Sequence, residues 1–231
     1  MKKVYIGYCS QYSNILNLSI TKGKYCITES YEYNNVTPIP YFNNKEKLTK
    51  RYNEIIKRLA NEDCILVLVH DDVLITDKNW IEKLHIGLEK YDVVGLAGTS
   101  EASIRQPCLW HIMGPRDKHT GTVNHVNFAD NSTFTTYFGK PGRALILDGL
   151  FLAFNPKIIA SKGIEFDETN PCIAHFYDID FSLTCNKHQL KLGTINIQAT
   201  HSSPGLRDFT QDWKDGEQWF LNKFNRGGYS I

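Results

Sequence analysis

The chain has 231 residues, 42% hydrophobic and 22% charged, and its 26 basic side chains against 25 acidic ones leave a net charge of +1. That is the makeup of a globular protein able to bury a full core, and nothing in its charge balance suggests long-range attraction to nucleic acid or an anionic membrane. No apolar run approaches the roughly 20 residues that span a bilayer, and the opening MKKVYIGYCSQYS is too broken by polar residues to read as a signal peptide. The six cysteines (Cys9, Cys26, Cys64, Cys108, Cys172, Cys185) are dispersed, with no C-x-x-C pair. They read as free thiols in a reducing, cytoplasmic setting.

Val4 to Cys9 reads as a first strand, Ser10 to Asn14 as the turn leaving it, and Leu16 and Leu18 as part of a short helix. A second strand is expected near residues 24–28, followed by a polar, proline-containing loop over residues 29–41. Asn43 with Glu46 three residues on has the form of a capped helix start. Leu48, Tyr52, Ile55, Ile56 and Leu59 then recur at helical spacing, which predicts a helix to about Ala60.

The organising stretch follows, ILVLVHDDVLIT over residues 65–76. A continuous apolar run of this kind is a strand buried on both faces. Ending it in His70, Asp71 and Asp72 is costly unless a cation waits there. Side chains alternate along a strand, so His70 and Asp72 are expected on one face and Asp71 on the other. Open α/β sheets bind ligands just outside the carboxyl ends of their strands, so the stretch reads as a metal-dependent site.

Asp77 is an expected N-cap for a helix carrying Trp80, Leu84 and Leu88, and residues 92–97 form another buried strand ended by Gly98. The alternation of strands and helices predicts an α/β fold with a mainly parallel central sheet flanked by helices. Residues 99–140 hold His111, His119 and His125, which lack H-x-H or H-x-x-x-H spacing and read as solvated or locally hydrogen-bonded. Alternation over residues 123–128 suggests a small antiparallel insertion. Residues 144–154 (ALILDGLFLAF) are buried-strand text interrupted by Asp148 and Gly149, where glycine marks either a bulge or close approach of another group.

Pro156 opens a short helix. In HFYDIDFSL a helix is expected to begin near Phe176, with Asp178 and Asp180 in its first turn, where the dipole favours carboxylates. Residues 192–199 read as the last strand, with His201 just past its end. In the tail, Trp213, Phe220 and Phe224 form an aromatic stripe that suits core packing or a lid. One domain over residues 1–231 is expected, with about 204–231 as a helical tail.

Four pieces in this order (VHDDV after a buried strand, LDGLFLAF, HFYDIDFSL, and a histidine after the last strand) resemble the GT-A glycosyltransferases. They are closest to the inverting, family-2-like kind of bacterial polysaccharide and surface-glycan synthesis. The resemblance covers roughly residues 4–203 and implies a Rossmann-like GT-A fold. It implies a hexosyltransferase-like enzyme moving a sugar from a nucleotide-sugar donor to a glycan or other hydroxyl acceptor. The strand-end D-x-D motif of that family maps its last position to Asp72 and its first to His70, where the family has aspartate. The second acid of an E-D-x-D-like helix start, the family's catalytic base, maps to Asp178, and the preceding glutamate is replaced by Tyr177. The later histidine maps to His201. The resemblance thus implies Asp72, His201 and His70 around Mn²⁺ or Mg²⁺, with Asp71, Asp148 and Gly149 near the donor and Cys9 and Ser10 where the nucleotide base rests.

Two other readings fit the same residues. A catalytically degenerate GT-A protein that only binds glycan or nucleotide would account for His70 and Tyr177. A metal phosphohydrolase would use the His70-Asp71 pair, although such enzymes carry it on helices. A nucleotidyltransferase would show a glycine- and basic-rich phosphate loop, which YCSQYSN lacks.

Overall fold

The computed structural model describes residues 1–22, 26–27, 36–103, 106–203 and 209–225. In chain order the elements are β1 (Val4–Cys9), α1 (Ile15–Lys22), β2 (Val36–Tyr41), α2 (Leu48–Leu59), β3 (Ile65–Val69), β4 (Val73–Ile75), α3 (Trp80–Lys90), β5 (Val93–Gly95) and β6 (Ala97–Thr99). They continue with α4 (Trp110–Met113), β7 (His119–Val126), β8 (Thr133–Gly139), β9 (Arg143–Ala144), β10 (Ile146–Leu147), β11 (Phe151–Phe154), α5 (Pro156–Ser161), α6 (Tyr177–Lys187), β12 (Leu192–Thr194), β13 (Ala199–His201) and α7 (Gln211–Lys223).

Two sheets share these strands. The larger has the order β2-β1-β3-β11-β5-β12-β9. Within it β2, β1, β3, β5 and β12 run one way while β11 and β9 run against them, so the sheet is mixed, with helices packed on it. The second sheet has the order β10-β6-β7-β13-β4, with β8 pairing β7. The antiparallel insertion is therefore the β7–β8 hairpin, and it joins the second sheet, between β6 and β13, instead of entering the first.

Strand β3 is the spine. Ile65, Val67 and Val69 face one apolar cluster, with Trp80, Leu84, Trp213 and Phe220, while Leu66 and Leu68 face another, with Tyr52, Ile55, Phe154 and Phe181. All five are at most 2% exposed, and each contributes about 1.5–3 kcal/mol by leaving water. The alternation explains why the sequence shows an unbroken apolar run rather than a period of two.

Several expectations are corrected. The strand near residues 24–28 lies outside the described residues apart from Cys26 and Ile27, which are buried. The loop expected over 29–41 ends in β2, parallel to β1. Pro38 and Pro40 hid it, yet they sit two apart on an edge strand, where a missing N–H is tolerated.

Helix α2 begins at Leu48 without a side-chain cap. Asn43 lies at φ 52°, and Asn44, not Asn43, bonds the Glu46 backbone. Asp77 accepts from the Asn79 N–H at 3.0 Å and pairs with Lys83, while Asn79 occupies the N-cap position of α3. The strands expected over 92–97, 144–154 and 192–199 are each divided, because the chain crosses between sheets near Leu96, Leu145 and residues 195–198. Pro156 opens α5 with Asn155 as its cap. All six cysteines are free thiols. No helix among the described residues is long and apolar enough to cross a membrane.

Candidate functional site

Residues 70–72 do not continue β3. They form a tight turn into β4, in which the His70 carbonyl accepts from the Val73 N–H at 3.3 Å. The partition expected from strand alternation nevertheless holds. His70 and Asp72 converge with His201, the last residue of β13, and one ligand atom from each lies within 4.8 Å of the others. His201 reaches them because β13 pairs antiparallel with β4, setting His201 opposite Val73. Asp71 turns the other way. Its charge is felt by Cys9 and Tyr52, and its carbonyl accepts from Ile27.

His201 Nε2 is 3.3 Å from Asp72 Oδ1 and 3.5 Å from His70 Nδ1. Neighbouring ligands of a cation with bonds of about 2.1 Å stand roughly 3 Å apart in an octahedral site, so the spacing fits one ion. Two imidazoles and a carboxylate suit Mn²⁺ better than Mg²⁺. Burial, and then His201, hold His70 down at about 4, so its imidazole is neutral at neutral pH and keeps a lone pair for a metal.

Across from this cluster lies the first turn of α6. Tyr177 and Asp178 both meet the bend at Asp148-Gly149, between β10 and β11. Gly149 donates its N–H to Asp178 Oδ2 at 2.8 Å, and its carbonyl accepts from the Tyr177 hydroxyl at 2.9 Å. A Cβ on Gly149 would fall on that hydroxyl and within 2.9 Å of the Asp178 Cβ. Of the two readings of this glycine, close approach is the one the structure bears out, and what approaches is α6. Asp148 accepts from the Leu150 N–H at 3.0 Å, and its charge reaches Asp178 and His70. Burial first, and the Asp148 charge second, push the Asp178 carboxyl up to about 7. A carboxylate poised there takes and returns a proton near neutrality.

The backbone leading into α6 is strained. Phe176 has φ 66° and ψ −12°, a left-handed conformation costing a bulky residue about 1–2 kcal/mol. Its ring packs on Trp213 and Phe220 of α7, and a Cβ on Gly216 would collide with it at 2.5 Å. The aromatic stripe of the tail is thus core, laid over the segment that aims α6. Asp180 shares the first turn of α6 with Asp178, as expected, but engages α7 instead of Gly149. It is 2% exposed and pairs with Lys223 of α7 at 2.6 Å.

The remaining residues singled out in the sequence lie on separate elements. Cys9 ends β1, and burial pushes its thiol up to about 12. Ser10 is buried, its hydroxyl accepting from the Tyr12 N–H at 3.2 Å. His119 bonds the Trp110 carbonyl at 3.0 Å, as expected of a locally satisfied histidine. His125 stacks on Phe134 with its ring 6.2 Å from that of His201, which brings it nearer the cluster than its sequence context suggested. Sequence reasoning missed the Tyr177 hydroxyl, noted only as a departure from a motif. His70 Nε2 lies 2.9 Å from it, across 107 positions of sequence.

Comparison with solved structures places this architecture. Protein A197 from STIV aligns over 87% of this chain and 86% of its own, with a TM-score of 0.51 and 12% identity. GalNAc-T7, solved with UDP, GalNAc and Mn²⁺, aligns over 88% of this chain with a TM-score of 0.52 and 10% identity. A mannosyltransferase from Pyrobaculum calidifontis, in complex with GDP-Man and Mn²⁺, aligns over 88% with a TM-score of 0.50 and 12% identity. The chain spans 44% of the GalNAc-T7 chain and 58% of the mannosyltransferase chain. No curated protein matches the sequence. At these identities the likeness defines the fold, which is GT-A. The chain belongs to the glycosyltransferase-like family, whose model matches residues 8–224.

Proposed function

We propose that the protein is a metal-dependent, inverting glycosyltransferase that moves a sugar from a nucleotide-diphosphate donor to a glycan or other hydroxyl acceptor. The observation that carries this reading is the convergence of His70, Asp72 and His201, from three separate segments, opposite an Asp178 carboxyl raised to about 7. His70 Nδ1, Asp72 and His201 Nε2 would hold Mn²⁺ or Mg²⁺. When bound, such an ion neutralises charge gathering on a diphosphate leaving group. Asp178 takes the proton of the acceptor hydroxyl as it attacks the anomeric carbon, and attack opposite the leaving group inverts the centre. The Gly149 N–H holds the Asp178 carboxylate in place for this, and Asp148 keeps its affinity for a proton high. Cys9, Ser10 and Asp71 are assigned to the nucleotide side of the cleft, and Asp148 with Gly149 to the donor sugar and acceptor. We place the protein in the cytoplasm as a single unit over residues 1–231, with residues from about 204 as its tail.

Thermal shift against a panel of nucleoside diphosphates, with and without Mn²⁺, tests the donor side. A shift that needs both nucleotide and metal is expected. Nucleotide-dependent stabilisation with no sugar transfer to any acceptor would favour a degenerate binding protein, the reading that takes His70 and Tyr177 as losses.

A further inference from the structure

The two positions at which the chain departs from the transferase motifs, His70 and Tyr177, are bonded to each other. The Tyr177 hydroxyl lies 2.9 Å from His70 Nε2 and 2.9 Å from the Gly149 carbonyl oxygen, with the tyrosine 3% exposed. A phenol has one proton to give, and a carbonyl can only accept. Both contacts are satisfied together in one arrangement, in which Tyr177 donates to Gly149 and accepts from a protonated His70 Nε2. The opposite tautomer would spend the phenol proton on Nε2, withdraw it from the Gly149 carbonyl, and leave the Nδ1 proton facing His201. Nδ1 is the atom 3.5 Å from His201 Nε2, on the side where the three ligand atoms meet.

We infer that Tyr177 is a positioning residue that fixes His70 as the Nε2–H tautomer and so presents its Nδ1 lone pair to a divalent cation shared with Asp72 and His201. This rests on the metal centre proposed above. A carboxylate at position 70 has no tautomer to set, whereas an imidazole ligand needs its second nitrogen engaged to hold its orientation. The exchange at 70 and the exchange at 177 are on this account one change, and neither counts separately as a sign of a decayed site. Gly149 links the two sides, with its carbonyl on Tyr177 and its N–H on Asp178.

The test uses the full chain labelled with ¹⁵N-histidine and stripped of metal with EDTA. Long-range ¹H–¹⁵N correlation at neutral pH reports the tautomer of each imidazole, and His70 is assigned by the resonances lost in H70Q. The expected result is a protonated Nε2 and an unprotonated Nδ1 on His70. In Y177F, which removes only the hydroxyl, that pattern should give way to a tautomer mixture. Its Mn²⁺ affinity, read from the electron paramagnetic resonance of free Mn²⁺, should fall about 10–100-fold. A protonated Nδ1 in the wild-type protein overturns the inference, and so does a folded Y177F that holds Mn²⁺ as tightly as wild type. Wild-type protein that binds no Mn²⁺ refutes the metal centre instead, and the tautomer of His70 then decides the hold of Tyr177 on the ring by itself.

Discussion

Replacing Asp178 by asparagine should stabilise the protein and silence it together. The carboxyl rises from its ordinary 3.8 to about 7 because it is buried beside Asp148. At about 1.4 kcal/mol per pH unit, carrying the ionised form costs the fold up to about 4 kcal/mol at pH 7 and above. Partial exposure and the weaker bond from the Gly149 N–H to an amide oxygen reduce what Asp178→Asn recovers, to about 1–3 kcal/mol. The sign follows from linkage. An acid whose folded value lies above its unfolded value binds its proton more tightly when folded, so the penalty is nearly absent at pH 4, grows through pH 5 and 6, and levels off above 7. The assay is thermal unfolding of both proteins in EDTA at fixed ionic strength. At roughly 2–4 °C per kcal/mol for a chain of this size, D178N should melt several degrees higher at pH 8 and within a degree or two at pH 4. Titrations common to both proteins cancel in the difference. A gap independent of pH, or one that narrows as pH rises, refutes the account of the raised carboxyl. The same variant should lose sugar transfer by about 10²–10⁴-fold, the contribution of a positioned base, and wild-type transfer should rise with pH through about 7 as Asp178 ionises. Near-normal turnover in D178N would remove Asp178 from the role of base.

Other perturbations follow from the same geometry. H201A and D72N should each weaken Mn²⁺ binding measured by calorimetry, and Mn²⁺ at about 100 times its dissociation constant should stabilise wild type by about 2.7 kcal/mol, a gain absent from D72N. G149A must displace Tyr177 and Asp178, so it should cost about 1–3 kcal/mol by denaturant unfolding and abolish transfer. K223M removes the ion pair to buried Asp180 and should lower stability by about 1–3 kcal/mol. Lys223 also pairs with Asp167 at 2.7 Å, so an unchanged midpoint there would show that neither ion pair adds net stability.

What was legible in the sequence was whatever a local period or a single residue's stereochemistry decides. The run ILVLV could only be a strand covered on both sides, the 3.6-residue spacing of Tyr52, Ile55, Ile56 and Leu59 fixed the buried face of α2, and Pro156 marked a helix start. Pairing across the chain was not legible. Nothing local says that β11 slots antiparallel between β3 and β5, since a buried strand reads the same in either direction. Nor does one residue such as Leu96 announce that the chain is leaving one sheet for another. His70, Asp72 and His201 could be singled out because each lies at or beside the end of a recognisable strand. Tyr177 could not, because its partner nitrogen belongs to a residue 107 positions earlier. Taken position by position, the two exchanges look unrelated; only the fold sets them 2.9 Å apart.

The tail helix belongs in the account of the chemistry for a related reason. A left-handed phenylalanine is unfavourable by itself, and it persists only where its surroundings over-determine it. At Phe176 those surroundings are Trp213, Phe220 and the missing side chain of Gly216, all from α7. The bend they hold turns the chain so that the next two residues, Tyr177 and Asp178, both meet Gly149. One engages its carbonyl and the other its N–H. In this way α7 braces the turn from which Tyr177 and Asp178, the proposed positioning residue and base, begin α6. The strain at Phe176 and the aromatic stripe over residues 213–224 are two halves of one device.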